Sequence, residues 1–120
     1  MTYFNKTWFG AVMIDNKTYK DVLVIGDKII DREKMIPGGF DIHSHHTIYE
    51  RELDKLLEGK PEVIIIGTGQ SSVLEVPTEI DKQIRQRKIE LIVLETPKAI
   101  EKYNELSKTK KVNALIHTTC

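Results

Sequence analysis

The stretch Val63-Ile64-Ile65-Ile66-Gly67-Thr68-Gly69-Gln70 decides the fold. Four consecutive β-branched residues, with no polar residue among them, fit a strand covered on both faces, as in a parallel sheet flanked by helices. A strand wet on one face would alternate instead. Gly67-Thr68-Gly69-Gln70-Ser71-Ser72 then breaks the strand. Leu91-Ile92-Val93-Leu94 is a second buried run, and Val112-Asn113-Ala114-Leu115-Ile116 is the last. Helix signals lie between them. Thr78 is expected to cap one helix, with Asp81 in its first turn and Ile80 and Ile84 inward. Thr96 before Pro97 marks another start, a cap hydroxyl followed by a residue with no N–H to satisfy. Ile100, Tyr103 and Leu106 give that helix its apolar side. Residues 62–117 therefore read β-α-β-α-β. Strands joined through helices run parallel with right-handed crossovers, which brings all three carboxyl ends to one edge.

Upstream, Tyr49, Leu53, Leu56 and Leu57 recur at helical spacing, and Gly59 and Pro61 stop that helix. Thr47 and Glu50 have the spacing of a capping box. Residues 7–30 read as antiparallel strands. Phe9–Ile14 comes first, Asp15-Asn16-Lys17 turns, Thr18–Ile25 follows, and Gly26-Asp27 turns again into a short Lys28–Asp31 strand. Residues 32–46, with Pro37, Gly38, Gly39 and three histidines, read as irregular loop. The expected fold is a single α/β domain over 1–120. It has three layers, with a central mixed sheet built on the parallel β-α-β-α-β unit plus an N-terminal antiparallel β-hairpin.

Composition narrows the function classes. At 120 residues the chain is too short for a barrel enzyme of about 250 residues. Lys plus Arg equals Asp plus Glu at 18 each, which argues against nucleic-acid binding by bulk charge. The basic run Lys82–Lys88 is expected to be the wet face of a helix. No apolar run approaches the ~20 residues of a membrane helix, and Met1–Lys6 lacks the pattern of a signal peptide. Cys120 is the single cysteine, so no intrachain disulfide forms, which fits a reducing, cytoplasmic setting.

If the domain has a site, the shared strand-end edge should hold it, because ligands of open α/β sheets bind there. The expected pocket comprises Gly67, Thr68, Gly69, Gln70, Glu95, His117 and Cys120, shaped for an anion or a partner's side chain. The plain alternative is that strand ends simply carry polar residues. The 67–72 loop lacks the third glycine of a dinucleotide fingerprint and any Gly-Lys-Ser/Thr ending. Glu95 has no evident carboxylate partner, and His117 and Cys120 would face opposite sides of a strand. Asp41-Ile42-His43-Ser44-His45 resembles the D-x-H-x-H metal stretch of amidohydrolases, in which His-x-His serves one metal. Those enzymes draw further ligands from a full barrel that this chain cannot form. His43, His45 and His46 are therefore read as a solvated loop, with no metal and no cofactor expected.

Several features together resemble the MTH-type domain family of unknown function. They are Gly67-Thr68-Gly69-Gln70 after an apolar strand, Val76-Pro77 before a helix, Tyr103-Asn104 in the next, and the ending His117-Thr118-Thr119-Cys120. Phe9-Gly10 and Thr18-Tyr19-Lys20-Asp21-Val22 fit the family's first hairpin. The resemblance is good over 61–120 and looser over 1–60, and the histidine loop at 41–46 has no counterpart in it. It implies a three-layer α/β fold and no established enzymatic activity. Animal relatives, an adipogenesis-associated domain protein and a mitochondrial complex I assembly factor, imply a protein-binding or assembly role. The competing reading is a small-molecule or anion-binding enzyme using the 67–72 loop. Expected partners are an unidentified protein and, to cover a strand edge, a second copy in a homodimer; nucleic acid and membrane are not expected.

Overall fold

The computed structural model describes residues 2–36, 38–39 and 44–120. Strands β1 (Phe4–Trp8), β2 (Ala11–Ile14) and β3 (Lys17–Tyr19) form a small antiparallel sheet. The chain then crosses to a second sheet through β4 (Val22–Ile25) and β5 (Lys28–Asp31), and continues into a single helical turn, α1 (Arg32–Met35). Helix α2 (Glu50–Leu56) leads to β6 (Val63–Thr68), α3 (Thr78–Gln86), β7 (Glu90–Leu94), α4 (Thr96–Leu106) and β8 (Val112–His117).

The large sheet has the order β5-β4-β8-β6-β7. Strand β6 runs parallel to both neighbours, with Ile65 beside Ile92 on one side and Ala114 on the other. Strand β8 also pairs antiparallel with β4, which makes the sheet mixed. The parallel β-α-β-α-β unit is thus present over the expected residues. All six residues of β6 are buried, and its two faces serve two cores. Val63 and Ile65 meet Ala99, Ile100 and Tyr103 of α4 with Phe4, Val12 and Ile14 of the small sheet. Ile64 and Ile66 meet Leu53 and Leu56 of α2 with Ile80 and Ile84 of α3. The small sheet and α4, the large sheet, and the pair α2 and α3 are the three layers.

Local details differ from the sequence reading. Thr18–Ile25 is not one strand: it divides at Lys20-Asp21, giving β3 to one sheet and β4 to the other. The hairpin is a three-stranded sheet because β1 also joins it. That strand escapes notice because Asn5, Lys6 and Thr7 are polar and Phe4 is its one buried residue. Asp15 and Asn16 have φ of +49° and +67°, the left-handed pair that a two-residue hairpin turn requires. Caps shift as well. Tyr49 rather than Thr47 caps α2, and its amide donates to the Glu52 carboxylate at 3.1 Å. Pro77 and Glu95 occupy the cap positions of α3 and α4, so Thr78 and Thr96 are first helical residues.

Candidate functional site

The carboxyl ends of β6 and β8 lie side by side, with Thr68 opposite His117. The loop after β6 crosses the segment after β8 in direct contact. Gly69 has φ +106°, and a Cβ there would lie 2.4 Å from the Cys120 carbonyl carbon and 2.8 Å from His117 Cδ2, so only glycine fits. Backbone donors of this loop are already engaged. Gln70 N–H donates to Thr119 O at 2.7 Å, and the amides of Ser71 and Val73 donate to Cys120 O at 3.0 and 2.9 Å. Gly69 N–H donates to Thr96 Oγ1 (2.9 Å), and that hydroxyl donates to His117 O (2.5 Å). Thr96 therefore stitches three strand ends together instead of capping its helix. Gln70 Nε2 donates to Thr7 Oγ1, Trp8 O and Thr118 O.

Of the residues expected at this edge, Gly67, Thr68, Gly69, Gln70, His117 and Cys120 come together. Glu95 stands between the end of β7 and the first residue of α4. It lines an open groove with Thr68, Ser72 and Arg85, and its carboxylate is 3.8 Å from the Lys98 ammonium.

Behind the strand end lies a set of buried charges. Asp21, at the joint between β3 and β4, and Arg32, Glu52 and His117 are all buried. Arg32 Nε donates to Glu52 Oε2 at 2.5 Å, and its two terminal nitrogens reach Asp21 Oδ2 (3.1 Å), Glu52 Oε1 (3.3 Å), His45 O (2.6 Å) and Thr47 O. Asp21 Oδ2 also meets His117 Nδ1 at 2.7 Å, while its Oδ1 accepts from the amide and hydroxyl of Thr118, both at 2.7 Å. Burial alone would push the Asp21 carboxyl up, but the hydrogen bond and charge of His117, with the Thr118 donors, outweigh it and leave the group below its ordinary value. Counted as ions, two carboxylates face one guanidinium. The second of them, Asp21, stands against the His117 ring.

Above this set sit two more imidazoles. The ring of His117 is 4.9 Å from that of His45 and 5.2 Å from that of His46, centroid to centroid, and those two are 4.1 Å apart. One nitrogen from each ring lies within 4.8 Å of the others. Among the described residues, His46 Nε2 is buried with no hydrogen-bond partner. Burial, followed by the nearby His46 and His117, lowers the His45 pKa and favours its neutral form. A cavity of about 280 Å³ adjoins the group, lined by Asp21, Glu33, His45, Thr118 and Thr119 among others.

His45 and His46 are thus half-buried, not solvated, and they pack on a residue more than 70 positions away. His43 lies outside the described residues. The sequence reading missed Asp21, Arg32 and Glu52. The available signals were a carboxylate directly before the apolar run Val22–Ile25 and a glutamate beside Leu53 on the inward side of α2.

Comparison with known proteins agrees with this architecture. Residues 4–117 match the model of a family described as "Protein of unknown function (DUF498/DUF598)". Among solved structures, the conserved hypothetical protein PH1505 from Pyrococcus horikoshii OT3 is similar at 30% identity over 98% of both chains, with a TM-score of 0.83. A protein named MT938 is similar at 34% identity over the whole of both chains, with a TM-score of 0.77. An outer membrane protein from Bartonella henselae shares the fold at 18% identity and a TM-score of 0.78, over 99% of this chain and 96% of that one. In this chain no helix among the described residues is long and apolar enough to cross a membrane. The match over nearly the whole chain, together with the first two of these structures, bears out the resemblance to the MTH-type domain, and the chain belongs to the DUF498/DUF598 family of proteins of unknown function.

Proposed function

We propose that this domain is a non-enzymatic binding module, acting in the cytoplasm, that docks a partner protein on the turn between β1 and β2. The observation that carries the reading is the presentation of two aromatic side chains, Trp8 and Phe9, which remain 41% and 65% exposed. The turn beneath them is fixed. Gly10, at φ +88°, donates its amide to Thr118 O at 2.8 Å, and Trp8 O accepts from Gln70 Nε2 at 3.3 Å. Aromatic side chains on a rigid turn lose little freedom when they enter a partner's pocket, and tryptophan is enriched among residues that dominate binding energy. Such a partner offers an apolar pocket at the protein's own surface. The engagement of the amides after β6 by the chain's own carbonyls favours this module over an anion-binding enzyme, because an anion cradle needs outward N–H groups.

A photo-crosslinking residue placed at Phe9, with a control at Lys82 on α3, tests the reading in cells. We expect a discrete protein adduct from position 9 and none from position 82. Its mass separates a different protein from a second copy, which is the homodimer reading. Equal labelling at both positions, or none at position 9, overturns the proposal.

A further inference from the structure

We propose that His45, His46 and His117 bind one divalent transition-metal ion of the zinc class, with one coordination position open to the adjoining cavity. Three imidazoles are a donor set suited to zinc, and catalytic-type zinc sites combine three protein ligands with a fourth, exchangeable position. Their nitrogens already lie within 4.8 Å of one another. Zn–N bonds of about 2.0–2.1 Å in a tetrahedron place nitrogens ~3.3 Å apart, so the closure needed is small and falls to His45 and His46, the half-buried members.

Three features point to a cation here. First, His117 is oriented as a ligand. Its Nδ1 faces the Asp21 carboxylate at 2.7 Å, which leaves the lone pair on Nε2, the carboxylate–histidine arrangement that supports metal-bound imidazoles. Second, His46 Nε2 is buried and lacks a hydrogen-bond partner among the described residues, a cost that coordination removes. Third, the backbone on both sides of His46 is pinned, because Arg32 donates to the carbonyls of His45 and Thr47. Thr119 Oγ1, 3.2 Å from His117 Nε2, must yield to the ion.

The test is titration of chelator-stripped protein with zinc chloride against a chromophoric chelator, and with cobalt chloride followed by visible absorption. The expected results are one equivalent of zinc per chain and an intense, tetrahedral-type cobalt spectrum. His46→Ala and His45→Ala should lose both while keeping the circular dichroism of the parent, since neither substitution touches the carbonyls held by Arg32. Asp21→Asn should weaken zinc binding about 10- to 100-fold. If Asp21→Asn does not fold, Thr119→Val is the second arm: removing the competing hydroxyl should leave one-to-one binding at equal or higher affinity. The proposal is overturned by the lack of saturable one-to-one binding, by undiminished binding in His46→Ala, or by a weak cobalt spectrum of the hydrated ion.

Discussion

Arg32 is a charged residue with no exposed surface, and all five of its N–H groups are placed. It joins the residue before β4, α2 and the histidine loop by hydrogen bonds, beside the core that Leu23, Ile48 and Leu53 share. Removing one member of a buried ion pair strands the others. Arg32→Met should therefore cost about 3–5 kcal/mol in urea denaturation, because Asp21 and Glu52 lose their counter-charge. Arg32→Lys keeps the charge but has three donors in place of five, so it should recover part of the loss only. A cost under about 1 kcal/mol for Arg32→Met would show that water replaces the guanidinium, and the pinned loop would have to be explained differently. None of this was legible from composition. An arginine in a sequence is expected on the surface, and its burial follows from two carboxylates that are 11 positions upstream and 20 positions downstream. The histidines were legible as unusual. Their joining to His117 was not, because that contact spans the length of the fold.

Buried runs and helix faces were the readable part of the elements. Val63–Ile66 and Val112–Ile116 carry their own burial in their composition, and Ile80 with Ile84 and Ile100 with Tyr103 face inward as spacing required, whereas Leu91–Leu94, expected as a second buried run, lies at the edge of the large sheet with Leu91 buried and Val93 42% exposed. The start of α4 was misplaced by one residue because its hydroxyl had a remote use. Thr96 bonds Gly69, which is 27 positions earlier, and no local pattern records that. On α4, Tyr103 packs edge-on against Phe4, with ring centroids 4.9 Å apart. Burial raises its pKa; the hydrogen bond with Thr2 opposes this, and the charges of Asp27 and Asp15 add to it. The folded state thus favours the neutral phenol more than the unfolded chain does. That contribution is intact below the unfolded value near pH 10 and is lost as pH rises toward the higher folded value. Urea midpoints measured from about pH 8 to pH 11 should fall more steeply for the parent than for Tyr103→Phe across the top unit of that range. Parallel curves would show that the phenol ionises equally in both states.

The whole molecule has an uneven distribution of support. Strand β6 has a hydrogen-bonded neighbour on each side and core on each face, whereas the small sheet touches the rest through one face. Asn104 of α4 clasps it at Phe4, accepting from the amide at 2.9 Å and donating to the carbonyl at 2.7 Å. Native-state hydrogen exchange should therefore find the amides of β6 and β8 released only by global unfolding, and those of β1–β3 by a smaller opening. Asn104→Ala should speed exchange in β1 and β2 by a larger factor than in β6. Uniform protection across both sheets would mean that they open as one unit. The three-layer class was readable because periodicity reports which faces are covered. The division of Thr18–Ile25 between two sheets was not, since both halves are equally strand-like and only tertiary pairing separates them.

The pairing of β4 with β8, Val22 beside Ile116, has a consequence for biosynthesis. Residues 22–25 leave the ribosome some ninety residues before the strand they pair with, and Asp21 emerges just as early relative to His117 and Thr118. Neither the β4–β8 junction of the large sheet nor the buried charge set can assemble before residues 112–118 have left the ribosome. Until residues 112–118 are free, β4 has its β5 partner on one edge and an open edge on the other, Asp21 lacks His117 and Thr118, and Gly10 lacks Thr118 O. The interval in which β4 waits is when it depends most on holding chaperones, since transiently exposed strands are the ones that aggregate.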